Sequence, residues 1–484
     1  MLLLFIASFL TILSIITSKL SYKFGFPALL FFLIIGMLAG SDGIGNIQFD
    51  DNKLAQEVGI TALIFILFGG GLETEWDMVR PVVKEGFLLA SFGVILTAST
   101  LGLFCFYILG MDWKSGLLIG AIISSTDAAS VFNVLRTSKI GLKNNLKQIL
   151  ELESGSNDTI AVILTVGMIS LIKNPSESFT SLFVFLILQL SVGAVAGLLW
   201  GKISLEFIDR IKLEYDGLYT VMVSSIVILI YTTTEFCKGN GFLAVYIAGI
   251  IIGNQDFPHK RSIIRFMDGI TWIMQIAMFL TLGLLVFPSQ LLGIALTGIG
   301  IAFFLIFVAR PIGTFISLSI TKLRWRDKAF LSWVGLRGAS PIILATFPFT
   351  AGLENSEEIF NIVFFIVLIS LLLQGTTIKK VAEILDLKRD PDRKSLYPFE
   401  FENRKNSKTQ LKEFFVPFQS ALIGNPIFSA HFPQTSLIVL ICRGEQYLVP
   451  TGRTVLEAGD VLLVLTGAEE EKQIVEILSK LPET

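Results

Sequence analysis

The sequence predicts an all-α polytopic membrane protein of about 13 transmembrane helices, followed by a small cytoplasmic α+β domain. Three observations carry that fold class. Hydrophobic residues fill 53% of the 484 positions and charged residues only 16%, where a soluble domain carries about 25% charged residues. Apolar runs long enough to cross a hydrocarbon core of roughly 30 Å recur along most of the chain. The runs are continuous rather than alternating, which excludes a transmembrane β-barrel.

In chain order the spans fall near 2–18, 26–41, 57–73, 86–110, 115–134, 152–172, 180–200, 217–235, 241–253, 269–287, 291–310, 328–348 and 359–377. Met1–Thr17 has no basic flank and no small-residue cleavage site, so it reads as a first spanning helix rather than a signal peptide. Run 241–253 is short and polar-flanked. With the N-terminus outside, the inside loops hold eighteen Lys and Arg, from Lys19 and Lys23 to Arg326 and Lys328. The outside loops hold only Lys53, Lys114, Lys173 and Lys238. This positive-inside asymmetry fits a multi-pass protein of the cytoplasmic (inner) membrane with its C-terminus in the cytoplasm.

Composition changes at Lys379. Residues 1–380 form the expected membrane domain, 381–411 a charged, Pro-containing linker, and 412–484 a small soluble domain. In that domain Glu413–Gln419, Ser436–Cys442, Gln446–Val449 and Asp460–Leu465 read as strands. Glu457-Ala458-Gly459-Asp460 is a turn signal, and Ala468–Leu481 reads as a closing amphipathic helix.

A net charge of −2 suggests no nucleic-acid partner. Cys105, Cys237 and Cys442 have neither metal-ligand nor disulfide spacing. His259 and His431 lie outside the apolar runs, so proton chemistry in the membrane falls to carboxylates. No His-Glu-x-x-His or Gly-x-Ser-x-Gly occurs, so the chain does not read as an enzyme.

Four acids lie in or at the edge of spans: Glu73, Asp127, Glu153 and Asp158. Two bases do so, Arg310 and Arg337. A carboxylate near the bilayer centre costs about 2.5 kcal/mol or more, and chains keep one where an ion or a proton is handled. If each arginine pairs with one acid, two carboxylates remain to hold a cation or protons. Ser154 and Asp158 share a helix face, as do Glu153 and Asn157. The first face offers oxygen ligands for Na⁺ or K⁺. The second suits an ion pair with Arg337 and the capping of a broken helix. Ser124-Ser125-Thr126-Asp127 interrupts the fifth span, and Gly335-Leu336-Arg337-Gly338-Ala339-Ser340-Pro341 interrupts the twelfth, where proline removes a backbone donor. Two interrupted spans in different halves predict crossed discontinuous helices in an inverted repeat. Asp127 is expected at the positive half-helix ends and Arg337 at the negative ones. Glu73, after Gly69-Gly70-Gly71, is either a third ligand at the cytoplasmic mouth or an ordinary interfacial charge.

Thr126-Asp127, Glu153-Ser154 with Asn157-Asp158, Ala309-Arg310-Pro311 and Gly335-Leu336-Arg337-Gly338-Ala339 resemble the NhaP-type branch of the cation/proton antiporters, the CPA1 class. Ala128 stands where many members carry proline. Val455-Leu456-Glu457-Ala458-Gly459-Asp460-Val461-Leu462-Leu463-Val464 resembles the last strand of RCK C-lobe (TrkA-C) domains. No Gly-x-Gly-x-x-Gly precedes it, so the nucleotide-binding N-lobe is missing. The combination resembles the potassium/proton antiporter subgroup. The resemblance implies exchange of K⁺ and/or Na⁺ for H⁺, electroneutral because an Asn-Asp pair replaces two aspartates, in a homodimer that moves like an elevator. It implies a monovalent cation held at Asp127, Asp158 and Ser154 beside the Thr126 carbonyl and Glu73, with Glu153–Arg337 as a structural ion pair. Arg310 and Asn157 would have structural or charge-compensating roles. Transport needs no cofactor. A regulatory nucleotide is the candidate ligand of the C-terminal domain, with Arg443 and Arg453 as anion contacts or as solvated surface. The alternative is an RCK-regulated K⁺ channel or efflux pathway, against which stands the lack of a Thr-Val-Gly-Tyr-Gly-like filter.

Overall fold

The computed structural model describes residues 2–24, 27–138, 140–174, 178–389, 410–417, 419–444 and 446–479. The chain divides into two compact units, Met1–Pro391 and Asp392–Thr484.

The first unit is helical. Its first half runs α1 (Leu2–Phe24), α2 (Ala28–Ala39), α3 (Asn52–Glu73), α4 (Trp76–Tyr107), α5 (Trp113–Ile123), α6 (Ala128–Thr137) and α7 (Leu146–Lys173). It continues through α8 (Phe179–Arg210), α9 (Asp216–Phe236), α10 (Gly241–Gly253), α11 (Lys260–Leu284) and α12 (Gly293–Ser317). It closes with α13 (Trp325–Trp333), α14 (Ala339–Leu344), α15 (Phe347–Ala351) and α16 (Ser356–Ile384). Asp51 caps α3 by accepting from Leu54 N–H at 2.9 Å, and Asn240 caps α10 by accepting from Leu243 N–H at 2.9 Å.

Among the described residues, eight helices are long and apolar enough to cross a membrane, and the bent pair α5/α6 makes nine. Four shorter apolar helices lie at Phe5–Lys19, Ala28–Ala39, Gly241–Gly253 and Ala339–Ala351. The expected total of about 13 therefore rests on those four. In α7 and α16, 72% and 67% of the apolar window is buried, against 11% in α8. The first two are interior helices; α8 turns its apolar side chains outward.

Both breaks fall where the sequence carries its small polar and glycine-rich stretches. Ser124 ends α5 by turning its hydroxyl back onto Ala121 O at 2.7 Å. The chain then runs without regular structure to Asp127, and α5 and α6 meet at 41°. The second break, Val334–Gly338, separates α13 from α14. α16 runs past Lys379, where composition changes, to Ile384. The charged residues there extend the helix rather than end it. Residues 390–409 of the expected linker lie outside the described residues.

Beyond α16, β2 (Lys388–Arg389) pairs antiparallel with β1 (Gly141–Leu142), in the loop between α6 and α7. Lys143 N–H donates to Leu387 O at 3.0 Å, and Lys143 Nζ pairs with Asp386 at 3.1 Å. Asn144 Nδ2 donates to the buried Asp327 at 2.9 Å. The exits of α6 and α16 and the start of α13 are thus tied at one end of the unit.

The second unit is a four-stranded antiparallel sheet in the order β3 (Gln410–Phe415), β6 (Val461–Thr466), β4 (Leu437–Arg443), β5 (Gln446–Leu448). α17 (Ala468–Ser479) packs Ile474 and Leu478 with Phe414, Ile441, Leu462 and Val464. This is the small α+β domain the sequence predicts. The turn before β6 needs Gly459 at φ +87°. Arg443 staples that turn: it pairs with Asp460 Oδ2 at 2.9 Å and Glu457 Oε1 at 2.5 Å, and donates to Val455 O at 2.7 Å. These bonds hold its guanidinium above the ordinary arginine range, with the Asp460 hydrogen bond as the largest cause. Arg443, a candidate anion contact in the sequence, is therefore spent on the fold.

A hydrogen bond to a charged group contributes about 1.5–3 kcal/mol. Arg443→Ala should therefore speed hydrogen exchange of residues 455–462 in the full-length protein by about tenfold or more.

Candidate functional site

The two breaks touch. Asp127 N–H donates to Leu336 O at 2.8 Å, so the backbone of one interruption is bonded to the backbone of the other. Contact this close needs glycine. A Cβ on Gly338 would lie 2.3 Å from Asp127 Oδ2, and one on Gly335 would lie 2.5 Å from Arg310 Nε.

Interrupted helices expose amides at one end and carbonyls at the other, with partial charges of roughly half a unit. Asp127 caps the amide end of α6: Oδ1 accepts from Ala129 N–H at 2.9 Å and Ser130 N–H at 3.3 Å, and Oδ2 accepts from Ser130 Oγ at 2.5 Å. Arg337 caps the carbonyl end of α5, Nη1 donating to Ser124 O and Ser125 O, each at 2.6 Å. Arg310 reaches the carbonyl end of α13, Nη2 donating to Leu331 O at 3.3 Å.

α7 grips the first break with one stretch of helix. Ser154 Oγ donates to Thr126 O at 3.0 Å and accepts from Ala128 N–H at 3.0 Å. Asn157 Nδ2 donates to Thr126 Oγ1 at 2.6 Å. Asp158, one residue after Asn157 and one turn after Ser154, is almost fully buried and accepts from Ser340 Oγ at 2.7 Å through Oδ2. Among the described residues its Oδ1 takes no well-formed hydrogen bond, though the Ser125 hydroxyl lies beside the carboxylate.

The ion pair differs from expectation. Glu153 pairs with Arg310 at 2.6 Å, both side chains fully buried, and not with Arg337. The sequence offered two arginines for one buried glutamate, and spacing along the chain cannot choose between them. Position in the fold does: Arg310 enters from α12 beside Gly335, while Arg337 lies in the break itself, where two bare carbonyls compete for it. Glu73 is not brought into the crossing. It is exposed at the end of α3, in the electrostatic neighbourhood of Glu151 and Glu75. Asp127, Asp158, Thr126, Ser154, Asn157, Glu153, Arg310 and Arg337 do converge. Ser340 is the contact that sequence reasoning missed. Its signal was its place in the glycine-rich break, three residues after Arg337.

Two crossed, interrupted helices with a buried carboxylate at the crossing define a secondary transporter of the discontinuous-helix class. The comparisons with known proteins name the family. The sodium/hydrogen exchanger transmembrane model matches residues 7–384, and the TrkA-C domain model matches residues 411–479. The K(+)/H(+) antiporter NhaP2 of Shewanella baltica is 38% identical over 481 residues, 99% of this chain and 83% of that protein. The K(+)/H(+) antiporter NhaP of Alkalimonas amylolytica is 36% identical, over 97% of this chain and 82% of that protein. The sodium proton antiporter MjNhaP1 of Methanocaldococcus jannaschii superposes with a TM-score of 0.70 at 23% identity, covering 80% of this chain and 99% of that one. The chain belongs to the sodium/hydrogen exchanger family. It is a cation/proton antiporter of the NhaP type with a TrkA-C tail, and the channel reading falls away.

Removing one partner of a buried ion pair costs about 3–5 kcal/mol, while removing both costs less than the sum. The double variant Glu153→Gln/Arg310→Gln should thus lose clearly less thermal stability than the two single losses added. Glu153→Gln with Arg337→Gln should lie closer to additive.

Proposed function

We propose that the protein exchanges K⁺ for H⁺ across the cytoplasmic membrane, one for one, through competition at Asp158. The observation that carries this reading is the state of the buried acids. Glu153 has an arginine at 2.6 Å and Asp127 is spent on a helix end, but Asp158 meets only the hydroxyls of Ser340 and Ser125, and among the described residues its Oδ1 takes no well-formed hydrogen bond. A bare carboxylate oxygen in the bilayer needs a proton or a cation.

Charge supports the stoichiometry. Glu153 and Arg310 cancel. Asp127 and Asp158 against Arg337 leave two negative charges and one positive, a net of one negative charge. One proton or one monovalent cation neutralises it, and both at once would overshoot. Ser154 and the Thr126 carbonyl already bond each other, so they supply the cation with their remaining lone pairs. Asp127 stands across the crossing as the second carboxylate. Alternating exposure of this crossing, by movement of its helices against the rest of a homodimer, would complete the cycle. K⁺ as the cation rests on the names of the relatives that match the chain over nearly its whole length. Loop charge favours an outside N-terminus and a cytoplasmic tail.

The tail is proposed as a regulator, with a nucleotide or other small anion as candidate ligand. The pairing of β1 with β2 supports a mechanical route. It ties the chain leaving α16 toward the tail to the loop entering α7, which carries Asp158.

In proteoliposomes with an imposed pH gradient, Asp158→Asn should abolish K⁺-driven proton exchange while leaving insertion intact. Because the ligand must be deprotonated to take the cation, the half-saturating K⁺ concentration should fall by up to about tenfold per unit rise in pH. A pH-independent value would count against competition. Deleting residues 408–484 should change the pH profile of exchange while leaving the Asp158 dependence in place; an unaltered profile removes the tail from regulation.

A further inference from the structure

The second break is held by polar residues on α16 that no motif marked. Gln374 Nε2 donates to Trp333 O at 2.6 Å and closes the carbonyl end of α13. Ser370 Oγ donates to Gln374 Oε1 at 2.5 Å and accepts from Arg337 N–H at 3.0 Å. Thr377 Oγ1 accepts from Trp333 Nε1 at 3.0 Å. Positions 370, 374 and 377 share one helix face. Ser370 and Gln374 are fully buried in an otherwise apolar helix, where an unpaired amide or hydroxyl costs several kcal/mol.

α7 does the same for the first break, through Ser154 and Asn157. Each half of the membrane unit thus pairs a broken span with a long interior helix whose polar face holds the break. The α16 face carries no acid and touches neither carboxylate of the crossing. Its bonds go to Trp333, just before the break, and to the Arg337 N–H within it, and Ser340 of the same segment donates to Asp158 at 2.7 Å.

We propose that Ser370 and Gln374 are positioning residues for exchange. They fix the segment Gly335–Ser340, so that Arg337 meets the end of α5 and Ser340 meets Asp158. The proposal rests on the reading of Asp158 as the exchange site. Around Asp158 the charged groups are Asp127 from the first break, Arg337 from the second, and the Glu153–Arg310 pair. None of them is itself replaced when Ser370 is altered, so an effect would come through the placement of the segment that carries Arg337 and Ser340. A loosened Ser340 removes a donor from the carboxylate and so alters its competition between K⁺ and H⁺.

The test uses full-length protein in proteoliposomes, with Ser370→Thr, Ser370→Cys and Ser370→Ala, and with Gln374→Met as a second variant of preserved volume. The expected result for Ser370→Ala and Gln374→Met is a half-saturating K⁺ concentration raised by about threefold or more. The pH midpoint of exchange should shift from that of wild type. Ser370→Thr, which keeps the hydroxyl, should restore both, and Ser370→Cys should fall between. Any inserted variant lacking the hydroxyl or the amide whose K⁺ dependence and pH midpoint match wild type would overturn the proposal. So would lowered thermal stability with those two unchanged. Asp158→Asn runs in the same vesicles. If it still exchanges, the site reading itself has failed; if it is inactive while Ser370→Ala is normal, only the positioning role has.

Discussion

Two helices stop inside the membrane unit, and the backbone groups they strand must find partners within the protein. Lipid offers none, and each unmet amide or carbonyl there costs several kcal/mol. Almost everything distinctive in this chain answers that requirement. Asp127 takes amides of α6; Arg337 and Arg310 take carbonyls of α5 and α13. Ser154 and Asn157 on α7 hold the first interruption, and Ser370 and Gln374 on α16 hold the second. The direct bond from Asp127 N–H to Leu336 O joins the two.

That solution leaves the proposed transport site as its remainder. Capping the carbonyl ends recruits two arginines, and one of them is matched by Glu153. Capping the amide end of α6 recruits one aspartate. Asp158 is then the acid that caps no helix end and pairs with no arginine among the described residues, met by serine hydroxyls at the point where both breaks meet α7. A group in that position takes either of two small cations and cannot hold both. On the proposed reading, exchange follows from scarcity of charge at one place.

Much of this was legible in the residues. Hydropathy located the helices, and the polar runs at Ser124–Asp127 and Gly335–Pro341 located both breaks. Helical spacing put Ser154, Asn157 and Asp158 on adjoining faces of one helix. What stayed hidden was partner choice in three dimensions. Glu153 had two arginines available, and only the approach of Arg310 from α12 beside Gly335 selects one. Glu73 could be a third ligand or an ordinary interfacial charge by sequence, and the end of α3 leaves it exposed. Ser340, Ser370 and Gln374 are common residues in apolar runs, and their roles depend on which backbone group lies opposite.

The most direct measurement is proton release on cation binding. Purified protein in weakly buffered detergent would be titrated with K⁺ while pH is recorded. The expected result is saturable release of about one proton per protomer, at pH values where Asp158 is still protonated, and none from Asp158→Asn. K⁺ binding without proton release, or release that survives in Asp158→Asn, would contradict competition at this carboxylate.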